Sequence, residues 1–243
     1  MKESSESDPV LTPARLGVGR AGTRYTTASM LKFRADHARA VDAVMTEVAA
    51  EWPRKNGLIE FHSQVETREE YLLRPERGRR LRSNEVAKLR ALNPAPRKST
   101  PASKPTVLIF IGDGLSSAAV EANAAPLMNV LVKQMRGKYR LLKTIFIRNA
   151  RVRIEDHLGE ILKPDVVCMI VGERPGLATA ESLSAYVIYR PRLRSLEPDR
   201  TVISNIHRGG IPIAEAAAKI ASLVDDAIRF RATGVRLAAL LAD

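Results

Sequence analysis

The chain has 243 residues, 45% of them apolar and 27% charged, with a formal net charge of +12 at pH 7. That apolar fraction suits a globular protein with a sizeable core, in one large domain or two smaller ones. A single cysteine excludes a disulfide within the chain, and no apolar run approaches the ~18 residues of a membrane-spanning helix. We therefore expect a cytoplasmic protein without membrane association, and we expect no secretory signal in the polar start.

The excess of basic residues leaves nucleic-acid binding open as a function class. Residues 66–98 contain ten basic and five acidic side chains. Intervening carboxylates and few aromatic residues argue against base stacking, and arginine serves protein interfaces equally well. We therefore favour a protein partner, with a basic nucleic-acid-binding α/β protein as the alternative. Five arginines form the densest part of this segment: Arg74, Arg77, Arg79, Arg80 and Arg82.

A glycine motif stands near the start of the chain, after residues 1–9, which we expect to be disordered. Gly17, Gly19 and Gly22 match the G-x-G-x-x-G pattern of dinucleotide-binding proteins, which requires a strand directly before it. Pro9 and Pro13 leave almost no room for that strand. The glycines therefore fit a backbone crossing or an interface loop better, and a self-contained Rossmann-type oxidoreductase is disfavoured.

The rest of residues 1–92 predicts a mostly helical N-terminal domain. A long helix is expected from a cap at Thr26 or Thr27 to the region of Pro53. Residues 58–65 alternate loosely and also suit a loop, and residues 66–73 and 80–92 favour two more helices. Residues 93–105 hold four prolines and no large apolar side chain, which predicts a linker. The long helix carries apolar residues at spacings of three or four, which form an apolar stripe down one face: Leu31, Ala35, Ala38, Val41, Met45 and Val48.

Residues 106–243 alternate between strand and helix patterns. Residues 107–111 form a short apolar run typical of a strand buried on both faces. Gly112 and Gly114 allow a tight turn around Asp113, and Ser116 or Ser117 can cap the helix that follows. Further strands are predicted at 141–147, which residues 151–154 can extend, and at 166–171, 183–189 and 201–206. A short helix is expected at 156–162, and Gly234 is expected to cap the last long helix, from residue 213. The predicted fold is thus α/β, a mostly helical N-terminal domain and a Rossmann/flavodoxin-like domain with an open, largely parallel sheet of about five strands.

Polar residues follow several of these strands, at the sheet edge where α/β proteins bind ligands. Together they form a hydrogen-bonding rim suited to a polar, amide-rich or phosphate-bearing ligand. The turn at 112–116 lacks the lysine of a P-loop, the four histidines have no metal-ligand spacing, and no Ser-His-Asp order can be assembled. We therefore predict no catalytic residue and no metal site on this chain. The rim residues are Asp113, Ser116, Glu173, Arg174 and Asn205.

Several spaced motifs carry a resemblance to a known family. They are Pro-Ala-Arg-Leu at 13–16, Gly-Arg-Ala-Gly at 19–22, residues 33–44 with Asp-His-Ala at 36–38, Asp-Gly-Leu-Ser at 113–116, Val-Gly-Glu-Arg-Pro-Gly-Leu at 171–177 and Ser-Asn-Ile-His at 204–207. In this order and spacing the chain resembles the small (light) subunit of ethanolamine ammonia-lyase, from residue 14 to residue 234.

The resemblance implies an enzyme that converts ethanolamine to acetaldehyde and ammonia, with adenosylcobalamin as the radical source. It implies a large TIM-barrel subunit that carries the chemistry, several large and small subunit pairs in one hetero-oligomer, and a small subunit that covers the cofactor. The family's cofactor contacts fall on Val152, Glu173 and Val202, where the family has a cysteine in place of Val202. Members of the family are associated with bacterial microcompartments, so such a location is also implied.

Overall fold

The computed structural model describes residues 18–93 and 104–242. The predictions of disorder at residues 1–9 and of a linker lie outside these ranges, except for the linker's end residues, and Gly17 lies outside them as well. Within the described ranges, the helices are all too short or too polar to cross a membrane.

Within residues 18–93 the structure has a small hairpin, four α-helices, a short 3-10 helix (Arg77–Arg79) and one further strand. Thr26 caps the first helix, as predicted, and its hydroxyl accepts a hydrogen bond from the Ser29 amide at 3.3 Å. That helix ends at Met45 and not near Pro53, which lies in the first turn of the next helix. The elements are β1 (Arg20–Ala21), β2 (Arg24–Tyr25), α1 (Thr27–Met45), α2 (Trp52–Lys55), β3 (Ile59–His62), α3 (Arg68–Leu73) and α4 (Ser83–Leu92).

The apolar stripe predicted for α1 does not face the core of the described residues. Asp36 is the one buried residue of the helix, whereas Leu31 is 60% exposed and Val41 is 47% exposed. Val48 is buried, but it lies beyond the end of the helix. A regular apolar spacing indicates that one face of a helix avoids water, but it does not indicate whether the same chain covers that face.

The C-terminal part contains the remaining strands and helices. The predicted strand at 141–147 is divided into two strands, and residues 151–154 lead into a helix instead of extending it. Gly234 opens the last helix and does not cap the preceding one, which ends at Arg231 in the left-handed conformation. The elements are β4 (Thr106–Gly112), α5 (Ser117–Ala119), a π-helical turn (Val120–Ala124), α6 (Ala125–Met135), β5 (Arg140–Leu141), β6 (Ile145–Arg148), α7 (Ile154–Leu162), β7 (Val166–Gly172), β8 (Leu183–Tyr189), β9 (Arg200–Ile206), α8 (Ile213–Phe230) and α9 (Gly234–Ala242).

Seven strands form one mixed, largely parallel sheet in the order β3-β6-β4-β7-β8-β9, with β5 paired to β4. The pairs from β3 to β7 are parallel, and β8 runs antiparallel to both of its neighbours. The α/β class is therefore confirmed. The strand count of about five was too low, because β3 comes from residues that also suited a loop and because residues 141–147 contribute to two strands. β3 joins the sheet across the predicted boundary; the division into 1–92 and 106–243 and the Rossmann/flavodoxin-like label stay predictions.

Helices cover both faces of the sheet, and this explains the continuous apolar runs of its central strands. On β4, Val107, Ile109 and Ile111 point to a core shared with α6 and α8. Leu108 and Phe110 point to a second core shared with α4 and α7. Burial on both faces, predicted for residues 107–111, is confirmed for β4, and all seven residues of β7 are buried as well.

The chain reverses its winding direction between β4 and β7. From β4 the chain crosses to β6 on one side, whereas from β7 it continues to β8 on the other side. Adjacent parallel strands whose connections leave in opposite directions form a crevice at their carboxyl ends. Gly112 and Gly172 end these two strands, and the crevice therefore opens beside Asp113 and Glu173.

Candidate functional site

A cavity of about 570 Å³ lies at this crevice, within the usual size range for small-molecule sites. Four of the predicted site residues line it: Val152, Glu173, Arg174 and Val202. They come from three different segments, the turn after β6, the turn after β7 and strand β9. The fold thus brings together all three positions implied by the family resemblance, although their role in binding a cofactor stays a prediction.

Glu173 is held in place by residues of β8 and β9. One oxygen of its carboxylate, Oε1, accepts hydrogen bonds from the Ser184 hydroxyl at 2.5 Å and from the Asn205 amide at 2.9 Å. Asn205 has φ of 60°, which turns its amide toward the carboxylate. The other oxygen, Oε2, accepts no hydrogen bond from the described residues, and the side chain is partly exposed in the cavity. The carboxylate is therefore oriented in advance and keeps one oxygen for an N–H or O–H donor of a ligand.

Val152 lies on the turn after β6, which hydrogen bonds with Tyr71 of α3 hold in place. The Tyr71 hydroxyl donates to the carbonyl of Ala150 at 3.1 Å, and the Arg151 guanidinium donates to the carbonyl of Tyr71 at 2.6 Å. The same guanidinium stacks over the Tyr71 ring, 4.0 Å from its centroid. Burial raises the pKa of Tyr71 and the nearby Asp113 raises it further, so the phenol keeps its proton and stays a donor.

Tyr71 and Arg151 also line the cavity, and sequence reasoning missed both. They are 80 positions apart in the chain, and neither belongs to a motif whose spacing signals a contact between them. The place of Tyr71 at the cavity is visible only in the folded chain, where its buried hydroxyl donates a hydrogen bond to the backbone of the turn after β6.

Asp113 lies next to the cavity but faces the interior. Its carboxylate accepts hydrogen bonds from the amides of Asn149 at 2.7 Å, Ala150 at 3.0 Å and Gly114 at 2.9 Å. Burial raises its pKa, while the Asn149 amide and the Arg68 guanidinium, 4.0 Å away, oppose that change. The aspartate does not line the cavity; instead it ties the turn after β4 to the turn after β6.

Two glycines let the turns after β4 and β7 touch. A Cβ atom at Gly114 would lie 2.3 Å from the carbonyl oxygen of Gly172, and one at Gly172 would lie 2.2 Å from the carbonyl oxygen of Ser116. Gly114 also has φ of 63°, as the predicted tight turn requires. Ser116 is the cap of α5, as predicted, and its hydroxyl also donates to the carbonyl of Ala180. Its polar atoms therefore serve the turn, and Ser116 does not line the cavity.

The remaining predicted residues differ in position. Arg174 is exposed and borders the cavity. Asn205 lies beside Glu173 but outside the cavity lining. Its side-chain oxygen is 2.8 Å from Nε2 of His207, and its carbonyl accepts a hydrogen bond from Ile211 at 2.8 Å. Asn205 therefore contributes its backbone amide to Glu173 and not its side chain to the cavity.

Apolar side chains line the cavity together with Glu173. Val202 is 47% exposed on β9 and pairs with Tyr186 of β8, and Val152 lies in the turn after β6. Burial raises the pKa of Tyr186, as does the nearby Glu173, so its hydroxyl stays protonated. The cavity can therefore accept hydrogen bonds at Glu173 while apolar ligand surface packs against the two valines.

The described residues do not form the usual constellations of a catalytic centre. They contain no cluster of three or more potential metal ligands, and no histidine lines the cavity. Cys168 is buried within β7, where burial raises the pKa of its thiol, so it is a core residue and not a nucleophile. The geometry supports binding and orientation of a ligand.

The arginine-rich segment forms largely internal contacts. Arg74 pairs with Glu76 at 2.6 Å, Arg77 pairs with Glu70, and Arg82 donates to two backbone carbonyls. Groups that are already paired offer less charge to a phosphate backbone. The nucleic-acid alternative is therefore not favoured.

Comparisons with known proteins agree on one family. The sequence-family model described as ethanolamine ammonia-lyase light chain (EutC) matches residues 5–238 of this chain. The chain is 45% identical over 228 residues to the ethanolamine ammonia-lyase small subunit of Clostridioides difficile, covering 93% of this chain and 75% of that protein. The same named subunit of Lachnoclostridium phytofermentans is 45% identical over 228 residues, with 93% and 74% covered. That of Fusobacterium nucleatum is 43% identical over 224 residues, with 92% and 73% covered. This chain belongs to the ethanolamine ammonia-lyase light-chain family.

Proposed function

We propose that this chain holds one side of adenosylcobalamin against the large subunit of an ethanolamine ammonia-lyase, which releases acetaldehyde and ammonia from ethanolamine. One observation carries the proposal. Val152, Glu173 and Val202, the three positions matched to family cofactor contacts, line a single cavity at the winding reversal of the sheet. These positions are widely separated in the chain, and only the folded sheet edge brings them together.

The residues of the cavity fit the chemistry of a corrin edge. A corrin ring carries carboxamide side chains around its periphery and apolar carbons between them. Glu173 offers an oriented carboxylate oxygen for amide N–H groups, a charge-assisted hydrogen bond that is stronger than a neutral one. Val152 and Val202 offer apolar contact beside it. At about 570 Å³ the cavity suits one edge of so large a cofactor, and a second chain would cover the remainder.

The residues that line the cavity suggest which roles this chain has and which belong to the large subunit. When bound, adenosylcobalamin supplies the carbon radical that starts the reaction. This chain's residues accept hydrogen bonds, pack against the ring edge and exclude water, which protects a reactive intermediate. Since the cavity has no acid–base or nucleophilic constellation of its own, we assign the catalytic residues to the large subunit. The active form would be a hetero-oligomer of several large and small subunit pairs, which can be enclosed in a bacterial microcompartment.

Of the three positions that the resemblance implies as cofactor contacts, Val202 is the one that departs from the implied residue, a cysteine. A valine cannot reproduce a sulfur contact, yet it keeps an apolar surface of similar size. Its side chain is well exposed at the cavity. We propose that Val202 retains the packing contact with the corrin edge.

Reconstituted turnover tests the function. Acetaldehyde release from ethanolamine and adenosylcobalamin is measured with the large subunit in the presence and absence of this chain. We expect turnover only when both chains are present. Turnover by the large subunit alone, or none from two folded chains together, would contradict the proposal.

A further inference from the structure

Helix α1 presents an apolar stripe that the described residues leave uncovered. Met30 is 37% exposed, Phe33 44%, Val41 47% and Met45 42%. These residues and the exposed His37 follow one another at spacings of three and four, so they share one face of the helix. Exposed apolar residues that share one face of a helix mark a candidate interaction surface.

The stripe forms one wall of a groove. The opposite wall is the loop after β7, with Arg174, Pro175 and Leu177, and the groove encloses about 500 Å³. Arg174 borders both this groove and the cavity that contains Glu173. The groove and the cavity therefore meet at one residue, and a single partner can cover both.

Uncompensated positive charge lies at the start of the same helix. Arg20, Arg24 and Arg34 surround a depression with Tyr25, and the Arg20 guanidinium lies 5.3 Å from the Tyr25 ring centroid. Among the described residues, none of these three arginines forms a salt bridge, in contrast with Arg74 and Arg77. The surface thus combines an apolar groove with a basic end, which suits a partner with apolar side chains beside carboxylates.

We propose that the docking face, defined as the α1 stripe, the groove and the three arginines, is covered by the large subunit of the enzyme. This inference rests on the proposed function, since it places the large subunit on the side where the cofactor is held. Continuity through Arg174 favours that occupant over a second copy of this chain. The large subunit thereby gains a contact that does not depend on the cofactor.

Cysteine footprinting tests the inference directly, because Cys168 is buried and its thiol has a raised pKa. Val41→Cys is compared with the matched control Val235→Cys, which is on α9 and 70% exposed. Thiol labelling is followed in the free chain and with the large subunit, without cobalamin. We expect rapid labelling of both in the free chain, and protection of Val41→Cys alone, by about tenfold or more, in the complex.

Three outcomes of that experiment would overturn the inference. Slow labelling of Val41→Cys in the free chain would mean that residues 1–17 or a second copy already cover the face. Unchanged labelling of Val41→Cys in the complex would place the large subunit elsewhere. Equal protection of both cysteines would show no preference for the docking face.

A charge insertion provides the second readout. The double variant Phe33→Asp/Val41→Asp should weaken binding of the large subunit about 30-fold, since carboxylates would be buried among apolar groups. Val235→Asp/Leu241→Asp is the matched control and should bind normally, and circular dichroism checks that both fold. Normal binding by the first variant would overturn the inference while leaving the cofactor role intact. Loss of cobalamin binding with normal protection of Val41→Cys would overturn the cofactor role alone.

Discussion

Asp113 and Glu173 stand at equivalent places in two adjacent parallel strands, yet they have different surroundings. Each follows a glycine that ends a buried strand. Asp113 turns inward and accepts hydrogen bonds from three backbone amides. Glu173 has β8 and β9 beside it and keeps an oxygen that no described residue binds. The same local pattern thus produces a structural anchor at one strand end and a group that faces the cavity at the next.

The largest expected effect on stability comes from replacing Asp113, which anchors the turn after β4. Asp113→Ala should lower the free energy of unfolding by about 3–5 kcal/mol, because three backbone amides would lose their acceptor and the buried Arg68 would lose its counter-ion. Chemical denaturation measures the change. Glu173→Ala is the control and should cost less than about 1 kcal/mol, since its side chain is partly exposed. Equal losses in the two variants would remove the distinction between them.

A third carboxylate extends the comparison to pH. Glu155 is fully buried with Asp156 beside the single Arg200, and Arg153 and Glu197 flank this group. Burial raises the pKa of Glu155 well above its ordinary value, although Arg200 opposes the shift. The folded state therefore binds this proton more tightly than the unfolded state does. Its contribution to stability is complete below the ordinary pKa of about 4.5 and is lost as the pH rises through the folded-state pKa.

Glu155→Gln should remove the loss of stability that the ionisation of Glu155 causes at higher pH. In the window above pH 4.5 the free energy of unfolding of the wild type should decline by up to about 1.4 kcal/mol per pH unit relative to the variant. Urea denaturation at several pH values measures the difference, which cancels the contribution of other groups such as Asp113. Parallel curves for the two proteins would show that Glu155 titrates normally.

The smallest expected effect comes from replacing Val202 at the cavity. Val202→Cys introduces the cysteine that the family resemblance implies at this position. It should change the cobalamin affinity of the assembled complex by less than about threefold, because the two side chains bury similar apolar surface. Cofactor titration followed by absorbance measures it. An increase of about tenfold or more would show that sulfur contributes what packing alone does not.

The central strands could be predicted from sequence because continuous apolar runs closed by glycine leave few alternatives. β3 could not, since only Phe61 of its four residues is buried and the strand pairs at the sheet edge. The apolar stripe of α1 could be predicted from its periodicity, but periodicity does not identify what covers the stripe. In the site, Glu173 was indicated by its place after a strand, whereas Val152 and Val202 came only from the family resemblance. Tyr71 required the folded structure.

The central claim is that Glu173 offers its free carboxylate oxygen to the cofactor. The most direct test is the cobalamin affinity of the assembled complex carrying Glu173→Gln, with Glu181→Gln on the neighbouring exposed loop as the matched control. Glutamine keeps the size of the side chain. Its amide oxygen can still accept from Ser184 and Asn205, so an uncharged NH2 donor replaces the free charged oxygen. We expect about tenfold weaker binding for Glu173→Gln, with normal large-subunit association, and no change for Glu181→Gln. Wild-type affinity in both variants would contradict the account.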